Sequence, residues 1–380
     1  MTIKHLSGNR IQGTEADRLL GESVTAGWKV LHKMTTYNWN WQYAHAIPDY
    51  RYYMIICSSH GSLGANQIYM RINPTTNSST EADGELKYTN SDMYDFGDGS
   101  DTQVGSSKHG ILLGKHAGAN DEIFSVGYLS NPVGAEKLYT GSCVNSNQQG
   151  AYAPHGFEVA GKYIGTGKVN SIQFRREVGT ADSGTEDVRF GTEFVVLGWT
   201  DKLTATKTDA HTDNFWKELS TTYGDGTTRV SSNQFGHYKY LWFQFMGRHT
   251  SGNGSTRLRF NYDDGSHYAK RTQHNGTGTP ADSVNQTSID DGGSQSQAEF
   301  MNGFICNIGG IDKIVLLNGA KSDVAGANDI VRIATYGKWQ GTGALTNSRE
   351  THTPITSIQV DSSSATFHAD SILKVWGADM

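Results

Sequence analysis

The feature that most constrains this chain is an internal duplication. Moved by 188 residues, the stretch 28–73 falls on 216–261 without a gap. Trp28-Lys29-Val30-Leu31 lies over Trp216-Lys217-Glu218-Leu219, and Tyr50-Arg51-Tyr52 over Tyr238-Lys239-Tyr240. Arg71-Ile72-Asn73 lies over Arg259-Phe260-Asn261. Moved by 176, the stretch 124–167 falls on 300–343. Phe124, Gly127, Asn131, Gly134 and Lys137 meet Phe300, Gly303, Asn307, Gly310 and Lys313, and Gly161-Lys162-Tyr163 meets Gly337-Lys338-Trp339. This block has about 12 identities in about 44 positions, against about 3 expected by chance, and across all the matched stretches Trp, Tyr, Phe and Lys recur in the same order. Ser171-Ile172-Gln173 matches Ser357-Ile358-Gln359, and Phe194 to Asp201 sits over Ile372 to Asp379. The chain therefore reads as one module used twice, 25–201 and 202–380, after an N-terminal arm, 1–24, that has no copy.

Strand patterns dominate both modules. Ile68, Met70 and Ile72 alternate with Tyr69, Arg71 and Asn73, while Leu258, Phe260 and Tyr262 alternate with Arg257, Arg259 and Asn261. A period of two sets one face in a core and one in water. Tyr52 to Cys57, Tyr240 to Met246, Phe194 to Trp199 and Ile314 to Leu317 are continuous apolar runs, the pattern of central strands covered on both sides. Asp-Gly at Asp83, Asp98, Asp225, Asp264 and Asp291, and Asn-Gly at Asn253, Asn275, Asn302 and Asn318, read as turns. Helix is expected in single turns at most, Thr14 to Leu20 with Thr14 as N-cap and Thr212 to Leu219. The prediction is an all-β fold of two tandem, duplicated, jelly-roll-like sandwiches. Each would have eight or so strands, with 74–110 and 262–296 as long loops.

Composition narrows the function. With 38 acidic and 32 basic side chains and a net charge of −6, the chain has no basic excess to neutralise phosphates, which argues against nucleic-acid binding. Eight Trp, 18 Tyr and 14 Phe supply core and argue against disorder. No apolar run approaches a membrane-spanning length. The polar start, Met1 to Leu6, is no secretory leader, so synthesis in the cytosol without export by that route is expected. Cys57, Cys143 and Cys306 cannot all pair and read as buried thiols, and the N-x-S/T sequons at Asn77, Asn253, Asn275 and Asn285 as chance.

Chemistry-bearing motifs are scarce. Gly165-Thr166-Gly167-Lys168 lacks the rest of a phosphate-binding loop, and its copy replaces the lysine with Ala344. Asp95 to Asp101 gathers three carboxylates in one loop, but their spacing departs from the alternating ligands of a calcium-binding loop. No catalytic residue, cofactor site or metal site is assigned. Trp39, Trp41 and Tyr43 share one face of a strand. Such a stripe either fills the core side of a sandwich or stacks on sugar rings.

The opening Lys4-His5-Leu6-Ser7-Gly8-Asn9-Arg10-Ile11-Gln12-Gly13-Thr14 resembles the start of many proteins of marine viruses. Gly127-Tyr128-Leu129-Ser130-Asn131, Glu136-Lys137-Leu138, Ala153-Pro154, Gly161-Lys162-Tyr163 and Val195 to Trp199 resemble a glycine-rich β-sandwich module of their virion proteins. The second module departs from that pattern, with Asp312 for the glutamate and Ile330 for the proline. The resemblance implies a non-enzymatic virion structural protein, a multi-copy coat or capsid- or tail-surface component. It would self-associate as a homotrimer or larger assembly and contact other virion proteins. The alternative is a glycan-binding tail-fibre or adhesin module that recognises host-surface carbohydrate.

Overall fold

The computed structural model describes residues 6–7, 10–11, 28–35, 41–59, 67–74, 86–92, 102–103, 110–115, 121–147, 152–177, 192–199, 215–250, 254–274, 277–295, 298–322, 330–341 and 353–379. Every regular element among them is a strand. Leu6–Ser7 (β1) and Arg10–Ile11 (β2) form a two-stranded ribbon.

The first module comprises Trp28–Thr35 (β3), Trp41–Ala44 (β4), Tyr52–Ser59 (β5), Gln67–Ile72 (β6), Leu86–Asp92 (β7), Thr102–Gln103 (β8), Ile111–Lys115 (β9), Ile123–Ser130 (β10), Lys137–Asn145 (β11), His155–Tyr163 (β12), Ile172–Glu177 (β13) and Glu193–Trp199 (β14). The second repeats them as Lys217–Tyr223 (β15), Arg229–Ser231 (β16), Tyr240–Gly247 (β17), Gly254–Phe260 (β18), Tyr268–His274 (β19), Thr277–Gln286 (β20), Ile289–Gln295 (β21), Glu299–Cys306 (β22), Lys313–Ser322 (β23), Ile330–Trp339 (β24), Ile358–Ser362 (β25) and Ile372–Ala378 (β26). The large sheets run β3-β14-β5-β10-β11-β12-β7-β8 and β15-β26-β17-β22-β23-β24-β19-β20. The small ones run β4-β13-β6-β9 and β16-β25-β18-β21. Adding 12 to each strand number converts one order into the other, so the duplication holds strand by strand, and all the pairings are antiparallel.

Each module is a sandwich with its own core. In the first, Tyr53, Ile55 and Cys57 of the large sheet meet Ile68, Met70, Ile72, Ile172 and Phe174 of the small one. In the second, Leu241, Phe243 and Phe245 meet Leu258, Phe260, Ile358 and Val360. A third core lies between the modules, where the outer faces of the two large sheets pack on each other. It gathers Met54, Ile56, Phe124, Val126, Val144, Val195 and Leu197 from one module with Tyr240, Phe304, Cys306, Ile314, Leu316 and Trp376 from the other. This explains the continuous apolar runs: along β5, β14 and β23 alternate residues serve a module core and the shared core. The result is four layers, small–large–large–small.

Several expectations are corrected. Among the described residues each module has twelve strands rather than eight or so. The stretches 74–110 and 262–296 carry β7 and β8, and β19 to β21, because even polar residues can add ladder hydrogen bonds at a sheet margin. Of the stretch Thr212 to Leu219, the residues from Lys217 on lie in strand β15, where pairing with β26 overrides a weak local helical preference, and 212–214 lie outside the described residues. Asn302-Gly303, Asn318-Gly319 and Asp291-Gly292 lie inside β22, β23 and β21, whereas Asp225-Gly226, with Gly226 at φ 84°, is a true turn. The end match slips by one: Gly198 pairs with Tyr53 and Gly377 with Leu241, so Gly198 corresponds to Gly377, not to Trp376. Thr14 to Leu20, Asp83, Asp98, Asn253, Asn275 and the Asp95–Asp101 loop lie outside the described residues. All three cysteines are buried and free, and no described helix is long and apolar enough to cross a membrane.

Candidate functional site

The modules meet like against like. The Ser58 hydroxyl of β5 hydrogen-bonds the Tyr240 hydroxyl of β17 (2.8 Å), β11 packs on β23, and Glu158 of β12 ion-pairs with Arg332 of β24. Strands touching their own duplicates describe a pseudo-twofold contact. At one end it is tight. Tyr240 donates to Glu193 (2.9 Å), Lys239 donates to the same carboxylate (2.8 Å), and the rings of Phe124 and Tyr240 stack 6.0 Å apart. Lys338 donates to the Ser146 carbonyl at 3.0 Å. Burial pulls the Lys313 ammonium down to about 8, although the Glu122 carboxylate nearby favours its charge.

At the other end the sheets part. The symmetry mate of the Ser58–Tyr240 contact would join Tyr52 to Met246, yet these side chains are 45 % and 51 % exposed. Between the closed and open ends lies a cleft of about 320 Å³. Its walls are duplicates of each other: Val126 and Tyr128, Thr140 and Ser142 on one side, and Asn302 and Phe304, Leu316 and Asn318 on the other. Glu158 and Arg332 line its flank.

The lining combines ring faces with fixed polar groups. Phe304 stacks on Trp242 (5.7 Å, 13°), which stacks on Trp376 (4.4 Å, 26°), so the platform is rigid. Asn302 is oriented by Trp242 Nε1 (2.7 Å) and Gln244 Nε2 (3.2 Å), both donating to its Oδ1. That leaves the Asn302 amide NH₂ as the group able to donate to a ligand. Burial pushes the Tyr128 phenol up to about 12, so it stays protonated and uncharged. A site of this size, with convergent polar groups and aromatic walls, is built to hold a small ligand or one segment of a longer one.

The sequence stripe lies elsewhere. Tyr43 sits on the outer face of the small sheet, while its neighbour Ala44 enters the core, so the core alternative does not hold for Tyr43. The Tyr43 hydroxyl accepts from Gln173 Nε2 (2.6 Å), and its ring stacks on His45 at 4.8 Å. Trp41 takes the strand position opposite Arg175, its side chain lying outside the described residues, as does Trp39 entirely. Tyr43 and the cleft are on opposite sides of the first module. Sequence reasoning missed the cleft because Asn302 and Asn318 pass for turn residues. The available clue was an amide within an otherwise apolar strand pattern.

No family model and no curated protein matches this chain. Among solved structures, the LG1–3 region of the laminin α2 chain aligns at 10 % identity and a TM-score of 0.15, covering 93 % of this chain and 68 % of that one. Domains LG4–5 of the mouse laminin α1 chain align at 10 % and 0.14, covering 90 % and 92 %. An outer membrane channel from Pseudomonas putida F1 aligns at 10 % and 0.11, covering 77 % and 97 %. Scores this low assign no function to this chain.

Proposed function

We propose that this protein is a non-enzymatic virion surface protein that holds a neutral glycan in the cleft between its two sandwiches. The cleft carries the reading. The Tyr128 and Phe304 rings match the C–H face of a pyranose, and Asn302, Asn318, Thr140, Ser142 and the Glu158–Arg332 pair offer planar and hydroxyl partners to sugar hydroxyls. The one carboxylate among the lining residues is compensated by the one guanidinium, which suits an uncharged ligand. Hydrolysis of a glycosidic bond calls on two carboxylates, and the described lining supplies a single one, already ion-paired. The virion setting rests on the resemblance of the N-terminal run and the glycine-rich module. A second reading, a multi-copy coat component, is favoured by uncovered apolar rows at Tyr52, Leu138, Met246 and Phe300.

The test is a glycan array followed by calorimetric titration of the strongest hit. Tyr128→Ala and Asn318→Ala are each expected to weaken binding about tenfold or more, the scale of one lost stacking or hydrogen-bonding partner. Binding that survives both substitutions but is lost in Tyr43→Ala would move the site to the outer sheet and overturn the cleft assignment.

A further inference from the structure

The two modules bury opposite halves of one and the same surface. In the second module, Tyr240 and Ile314 are fully buried in the core shared with the first, and Gln340 is buried as well. Their duplicates in the first module are Tyr52, Leu138 and Ile164, which are 45 %, 56 % and 36 % exposed, with Val133 in the adjoining turn 84 % exposed. The converse holds at the other margin. Ser58 and Phe124 are buried in the contact, whereas their duplicates Met246 and Phe300, cross-strand partners on β17 and β22, are 51 % and 45 % exposed. Two apolar rows whose counterparts form a tight interface are thus bare, and within one chain neither covers the other.

We infer that these rows are a docking surface for a second copy of this chain. The Tyr52–Leu138 row of one copy seats on the Met246–Phe300 row of the next, as the Tyr240–Ile314 row seats on the Ser58–Phe124 row inside each copy. Three observations select this occupant. The rows continue an established interface without a break. Their complement is already encoded in the chain by duplication. Exposed apolar side chains contiguous with a core mark association sites. Each copy offers one row of each kind, so two contacts related by a twofold close a dimer. The surface is independent of the glycan reading.

Sedimentation velocity of the full chain at about 1 and about 50 μM, where interfaces of ordinary size associate, tests this. Wild type sediments as a dimer at the higher concentration. Leu138→Glu and Phe300→Lys each sediment as monomers with unchanged circular dichroism, since both side chains are exposed. Mixing the two variants restores the dimer, because the new charges meet across one contact while the other contact stays wild type. A monomeric wild type at the higher concentration, variants that still associate alone, or a mixture that stays monomeric would each overturn the inference. Glycan titration on the same variants reads the cleft separately.

Discussion

Asn73 and Asn261 show what the duplicated residues are for. Each has a positive φ, 48° and 52°, which asparagine tolerates better than most residues. Each side-chain oxygen accepts two backbone N–H groups of the facing chain, from Asn170 and Ser171 in one module and Thr356 and Ser357 in the other. Lys137 and Lys313 are a second matched device, each ammonium donating to carbonyls five and two residues before it. These repeats are structural clamps, which is why the matched residues point to no chemistry. His155 has no such twin, since its duplicate position holds Val331. It is 5 % exposed. Burial first, then the charge of Arg271, lower its pKa to about 3; Asp282 opposes them, and Lys338 and Lys115 add lesser pulls downward. Between about 3 and the unfolded value of 6.5 the unfolded chain binds a proton that the fold does not. Stability therefore falls as pH drops through that window, by up to about 1.4 kcal/mol per pH unit from this one group. Urea midpoints measured at about pH 7 and about pH 5 should fall apart in wild type and draw closer in His155→Gln. An unchanged pH dependence in the variant would assign the acid sensitivity to other groups.

At the level of strands, matched glycines give the register its rigidity by making room for rings. A Cβ on Gly303 would lie 2.2 Å from the Phe243 ring, which comes from the strand on one side. A Cβ on its duplicate Gly127 would lie 2.1 Å from the Tyr139 hydroxyl, which comes from the strand on the other side. The vacancy is kept while the ring that fills it changes strands. Gly303→Ala should therefore cost about 1–3 kcal/mol by overpacking. Phe243→Leu should cost less on top of Gly303→Ala than it costs alone, a coupling that a double-mutant cycle of denaturant midpoints would detect. Additive costs would mean that the ring does not occupy that space. The glycine recurrence was legible in the sequence because identity and order survive in both copies. The correspondence of β14 to β26 was legible only to within one residue. The trace of Gly198 in Gly377 was masked by tryptophans on either side of the true alignment, and a slip of one turns every side chain to the opposite face. The polar strands β7, β19 and β20 left no apolar alternation to read. The cleft was illegible for another reason: its two walls are 176 residues apart, and only the packing of two sheets brings them together.

For the whole molecule, the shared core decides whether two sandwiches behave as one body. Phe124 has no part in either module's own core, yet it is fully buried between them. Beside it, the Ser58, Tyr240, Glu193 and Lys239 network joins the sheets with side-chain hydrogen bonds, most of them buried. Linked this extensively, the modules should unfold together, as one calorimetric transition whose measured and van't Hoff enthalpies agree. Phe124→Ala should remove about 3–5 kcal/mol, the usual cost of emptying a buried phenylalanine site. That cost falls on the contact between modules and leaves both sandwich cores intact, so the single transition should split into two. Phe243→Ala empties a site of similar size inside the second module and leaves the contact in place, so it should lower the midpoint without splitting the transition. Two transitions already present in wild type would show that the large sheets touch without coupling, and the four layers would then be two independent sandwiches sharing a border.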